Sequence, residues 1–104
     1  MDAKAAINRY PRVRLIDNAT PIQPLHRIET ALGDEVLQGA HLFVKRDDLM
    51  ALGGGGNKLR KLEFLLGQAQ QQGADTLIAV GGRQSNQVRL AAAAAAHRGL
   101  ACEI

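Results

Sequence analysis

The chain has 104 residues, 46% of them hydrophobic and 22% charged, the balance of an ordinary globular domain or of a piece of a larger one. Thirteen basic against ten acidic residues leave a net charge of +3 with no clustered basic face, and the three aromatics, Tyr10, Phe43 and Phe64, are not interleaved with the cations, which excludes a nucleic-acid partner. No apolar stretch approaches the roughly 18 residues of a membrane span, and Met1-Asp2-Ala3-Lys4 begins no apolar leader, so the sequence predicts a cytoplasmic protein without membrane contact.

Residues 9–24 hold all three prolines, Pro11, Pro21 and Pro24, with little periodicity, and predict an extended arm wrapped on a neighbouring surface. His41 to Lys45 is a short β-favouring run that enters a loop at Arg46-Asp47-Asp48. The adjacent Asp47 and Asp48 point to opposite sides and suit turn capping or pairing with Arg46. Gly53 to Gly56 form a loop, after which Leu59, Leu62, Leu65, Leu66 and Ala69 recur at three and four residues, predicting a helix from Asn57 or Lys58 to a left-handed stop at Gly73. Asp75 to Val80 reads as a buried strand running into Gly81-Gly82, and Ser85 or Asn86 caps a second helix that ends near His97-Arg98 before Gly99. Ala101 to Ile104 reads as a strand just beginning, as in a fragment of something larger, and Cys102 there suits a small buried hydrophobe. The alternation predicts an α/β fold with right-handed crossovers and an open parallel sheet.

Two loops carry the chemistry. Gly53 to Lys61 places Lys58 at a helix start behind a loop almost without side chains, where backbone approaches a flat ligand closely. A phosphate-cradling loop needs Ser or Thr after the lysine, and Leu59 stands there; a dinucleotide fingerprint needs a third glycine where Lys58 stands. Both nucleotide readings fail. Partial burial and the positive end of the helix dipole favour a neutral amine at Lys58, the form that condenses with an aldehyde; the plain alternative is an exposed lysine beside Arg60 and Lys61. The second loop, Gly81 to Gln87, puts Ser85 and Asn86 at the carboxyl end of a strand, where parallel sheets bind ligands and helix-start amides attract anions, although a polar N-cap alone would also account for Ser85. His26, His41 and His97 lack metal-ligand spacing, and no metal site is expected.

Lys45-Arg46-Asp47-Asp48, Gly55-Gly56-Asn57-Lys58-Leu59-Arg60-Lys61-Leu62-Glu63, Gly73-Ala74-Asp75-Thr76 and Gln84-Ser85-Asn86, in this order and with Tyr10-Pro11-Arg12 and Thr20-Pro21 ahead of them, resemble the D-cysteine desulfhydrase and 1-aminocyclopropane-1-carboxylate deaminase family. That family belongs to the tryptophan-synthase-β-like, fold-type II enzymes that use pyridoxal 5'-phosphate. The resemblance implies that Lys58 forms the Schiff base and shuttles protons, that Asn57 and Asn86 contact the cofactor, and that Ser85, Asn86 and Gln87 meet the substrate, with Ser85 assisting catalysis and Arg83 flanking the site. It implies β-elimination of a small D-amino acid, D-cysteine to pyruvate, ammonia and hydrogen sulfide, by a homodimer when full length. Gln87 stands where the family often has His and is compatible with the deaminase branch, whereas the Lys-Leu-Arg-Lys-Leu-Glu-Phe run is closer to the desulfhydrase branch.

Family members run roughly three times as far, as two domains. The resemblance thus implies that residues 1–48 are an amino-terminal arm and first strands of the larger domain and that 49–104 begin the smaller one. The loop gripping the cofactor phosphate would lie beyond residue 104, and a chain of these residues alone is expected to bind cofactor weakly or to self-associate through an uncovered sheet edge.

Overall fold

Leu59, Leu62 and Leu66 fall on one side of a helix and are essentially inaccessible to solvent, and burial of this stripe organises the fold. The computed structural model describes residues 2–104. In chain order its elements are α1 (Ala3–Ile7), β1 (Ile22–Pro24), α2 (His26–Leu32), α3 (Asp34–Leu37), β2 (Phe43–Lys45), α4 (Lys58–Gln71), β3 (Thr76–Ile78), α5 (Asn86–His97) and β4 (Ala101–Glu103), with single 3₁₀ turns at Asp47–Leu49 and Leu52–Gly54. Among the described residues no helix is long and apolar enough to cross a membrane.

The helices begin and end as their sequences dictate. Past its last residues α4 turns through Gly73, at φ 74°, the left-handed stop that glycine adopts without strain. Ser85 caps α5, its Oγ accepting from the Val88 amide at 3.3 Å, and Gly99 at φ 71° follows the far end. Small residues give α5 its buried side: Leu90, Ala91, Ala94 and Ala95 are inaccessible and bring its backbone close to α4 and to the sheet.

Of the arm expected over residues 9–24, residues 11–17 are extended and lie across α4 with Val13 and Leu15 buried in alternation, whereas Ile22–Pro24 form β1. Gly67 lets it pass: a Cβ there would stand 2.5 Å from the Pro11 carbonyl oxygen and 2.6 Å from the Arg12 nitrogen. The arm is tied by Glu63, a wholly buried carboxylate that accepts from Arg12 Nε at 2.7 Å and from the Leu15 and Ile16 amides at 2.9 Å each, while the Glu63 carbonyl accepts from Val13 N–H. Arg12 also stacks over Phe64, 5.2 Å from the ring centre.

The sheet departs from the single parallel array expected from the alternation. β3 and β4 do pair in parallel, in register Thr76 to Ala101, with α5 as their crossover. β2, however, pairs antiparallel with β1, Ile22 opposite Lys45 and Pro24 opposite Phe43, in a separate two-stranded sheet. Pro24 donates nothing to a ladder, and the short edge strand it occupies is where proline is tolerated. The described residues form a partial α/β unit with parallel and antiparallel pairs. One face of β3–β4 packs on α5 through Leu77, while Ile78, Val80 and Ile104 stay exposed.

Candidate active site

The glycine loop is built by backbone contacts that leave no room for side chains. Gly53, Gly54, Gly55 and Gly56 all have positive φ. A Cβ on Gly55 would sit 2.5 Å from the Asp48 carbonyl oxygen and 2.6 Å from that of Met50, and the Gly56 amide donates to the Asp47 carbonyl at 2.9 Å. The loop rests on α5: a Cβ on Gly53 would meet Ala93 at 2.7 Å, and one on Gly56 would meet Leu90 at 3.0 Å. The chain leaves the loop through exposed Asn57 directly into α4, whose first residue is Lys58. Lys58 is half-buried, and its ammonium has neither a hydrogen-bond partner nor an ion pair among the described residues.

The start of α5 faces this loop. Arg89 donates through Nη1 to the Gly53 carbonyl, and through Nη2 to the Gly55 carbonyl at 3.2 Å and to Asn86 Oδ1 at 3.4 Å. Asn57, Asn86 and Arg89, with Gly54 to Gly56, share an open cleft of about 630 Å³. Ser85 is half-buried; its oxygen accepts from Val88, which leaves its hydroxyl proton free to donate. Gly81 sits tight against it, for a Cβ there would meet Ser85 Oγ at 2.8 Å. Gln87 has a buried Oε1 without a hydrogen-bond partner among the described residues, an arrangement that costs about 1–3 kcal/mol until a donor arrives. Arg83 is exposed on the same loop.

The fold therefore brings Asn57 and Asn86 onto one cleft, with Lys58 next along the chain, Ser85 capping α5 before Asn86 and Gln87 following it. Lys58, Ser85 and Gln87 do not form the cleft's wall. Arg89 escaped the sequence reading; the signal was its position three residues after Asn86, on the same helix face. The carboxylates after β2 also line the cleft, and each is ion-paired, but only Asp48 pairs with Arg46, at 2.8 and 2.7 Å. Asp47 instead receives Arg60 at 2.8 and 2.6 Å and Thr20 at 2.8 Å, and the Arg60 hydrogen bonds hold its carboxyl down to about 2. This knot anchors the arm at Thr20 to the loop that precedes the glycines.

Nearly the whole chain is similar to known proteins. A family model described as pyridoxal-phosphate dependent enzyme matches residues 13–104. D-cysteine desulfhydrase of Yersinia enterocolitica is 48% identical over 102 residues, 98% of this chain and 29% of that protein. 1-Aminocyclopropane-1-carboxylate deaminase of Burkholderia lata is 50% identical over 97 residues, 92% of this chain and 28% of that protein. A crystal structure of an ACC deaminase homologue superposes with a TM-score of 0.84 at 45% identity, covering 98% of this chain and 30% of that one. The chain thus spans under a third of the length of these relatives, and it belongs to the family of pyridoxal-phosphate dependent enzymes, related within it to the D-cysteine desulfhydrases and ACC deaminases.

Proposed function

We propose that this chain supplies the lysine-bearing part of an enzyme that, with pyridoxal phosphate, converts D-cysteine and water to pyruvate, ammonia and hydrogen sulfide. The observation that carries the reading is the clasp between the two loops: the glycine loop ending in Lys58 is bound to the helix start that bears Asn86. Residues 1–48 then belong to the larger domain of a two-domain, open-sheet fold and 49–104 to the smaller one.

The residues present fit the cofactor. The glycine loop offers a flat ligand bare backbone, Lys58 has an amine committed to no carboxylate, and Gln87 holds a buried oxygen in want of a donor. When bound, pyridoxal phosphate supplies an electron sink that stabilises negative charge at the substrate Cα. Lys58 Nζ would hold the cofactor, and as a free amine it would take the Cα proton of the substrate. Asn86 and Asn57 would orient the ring, and the Ser85 hydroxyl would donate to the substrate carboxylate, which the first-turn amides of α5 would also attract.

In a protein that carries the remaining domain, incubation with pyridoxal phosphate followed by borohydride tests this directly: the reading expects a pyridoxyl adduct on Lys58, absent from Lys58→Ala. A label spread over surface lysines with Lys58 spared refutes it. ACC deamination is the second reading, favoured by the 50% identity to the Burkholderia deaminase and by Gln87 after Asn86. Measuring keto-acid release from D-cysteine and from 1-aminocyclopropane-1-carboxylate side by side, in a protein that carries the remaining domain, separates the two.

A further inference from the structure

We infer that Arg89 is a positioning residue that locks the lysine-bearing loop to α5 and fixes which end of the Asn86 amide faces the cleft. The second half of the inference rests on the reading that Asn86 contacts a ligand there; the first half does not. Four consecutive glycines have no side chains with which to hold their own conformation, and free glycine loops sample both signs of φ. Here two carbonyls of that loop, Gly53 and Gly55, converge on one guanidinium, while Leu90 and Ala93 of the same helix stand where a Cβ on Gly53 or Gly56 would have to go. Backbone hydrogen bonds from Gly55 to Leu52 and from Gly56 to Asp47 shape the loop, and Arg89 is the side chain that ties its carbonyls to α5.

The same guanidinium orients Asn86. Arginine carries donors and no acceptor, so the atom of Asn86 that meets it must be the amide oxygen. The Nδ2 protons are then left to donate into the cleft, which suits an oxygen on the ligand and repels a ligand donor. Lysine at position 89 would offer a point charge without the planar fork that reaches two carbonyls and an amide oxygen together.

The test uses amide hydrogen exchange and the Asn86 side-chain NMR signals of the full chain. In Arg89→Met the account expects exchange at Gly54 to Asn57 to rise about tenfold or more, with Leu62 and Leu66 of α4 unchanged, and the Asn86 Nδ2 proton pair to shift; Arg89→Lys should restore part of the loop protection. Asn86→Asp, which keeps an acceptor for Arg89 but removes the donors, should leave the loop protected. An unchanged loop in Arg89→Met, a rise spread evenly through α4, or Asn86 signals unmoved by the substitution would overturn the proposal. Borohydride labelling of a protein that carries the remaining domain is run in parallel. If Lys58 is spared while the loop and Asn86 respond as stated, the cofactor reading fails and the clasp stands.

Discussion

Replacing Glu63 by alanine should cost about 3–5 kcal/mol, although the residue touches nothing in the cleft. The carboxylate is fully buried and serves three donors, the Arg12 guanidinium and the amides of Leu15 and Ile16. Loss of the charge-assisted bond removes about 1.5–3 kcal/mol, and the stranded Leu15 amide, in a buried residue, adds about 1–3 kcal/mol. A domain of this size is stable by only about 5–15 kcal/mol, so the change is a large part of the whole. Urea unfolding followed by circular dichroism should show the midpoint lowered by about 2 M or more, given a slope of roughly 1–2 kcal/mol per M. Glu63→Gln keeps one acceptor oxygen and should lose about half as much. Amide exchange should accelerate first at Leu15 and Ile16, because the arm loses its tether before α4 loses its core. A Glu63→Ala protein within 1 kcal/mol of the parent would refute the claim that this carboxylate holds the arm down.

Gly67→Ala should destabilise by about 1–3 kcal/mol in the same urea assay, against the helix propensity that favours alanine by about 1 kcal/mol, because the added carbon meets the Pro11 and Arg12 backbone. Gly55→Ala should lose at least about 2 kcal/mol and displace the glycine loop, since it combines a φ of 78° with carbonyls 2.5 and 2.6 Å from the new carbon. Asp47 has a folded value lowered from 3.8 to about 2, so its contribution is complete above pH 4 and fades as the pH falls towards 2. With Arg60 half-exposed, that contribution is about 1 kcal/mol after solvent screening. The urea stability gap between the parent and Asp47→Asn should accordingly be open at pH 6 and narrow by pH 2.

The helices that frame the site could be read from the sequence because their signals are local. Leu59, Leu62 and Leu66 repeat within one segment, Gly73 and Gly99 mark the stops, and Ser85 lies where a cap belongs. The parallel pair β3–β4 followed from the strand-helix-strand order around α5. What escaped was short or distant. α1, α2 and α3 have no buried residues, so no apolar stripe announces them. The antiparallel partner of β2 is a three-residue strand ending in a proline, about twenty residues away. The ties that assemble the molecule, Glu63 to the arm and Arg60 to Asp47, join residues 13 to 51 positions apart, a span over which charge pairing leaves no periodic trace. At the site, Asn57, Lys58, Ser85 and Asn86 stood out through their motifs, whereas Arg89 was marked only by its spacing from Asn86, and its bonds to the Gly53 and Gly55 carbonyls carry no sequence signature.

The most direct measurement is the location of the pyridoxyl group after borohydride reduction, read by peptide mass spectrometry on a protein that joins this chain to the remaining domain and on its Lys58→Ala variant. The account predicts modification at Lys58 in the parent and its disappearance in the variant. Equal modification of both chains, or a parent labelled only at other lysines, would contradict it.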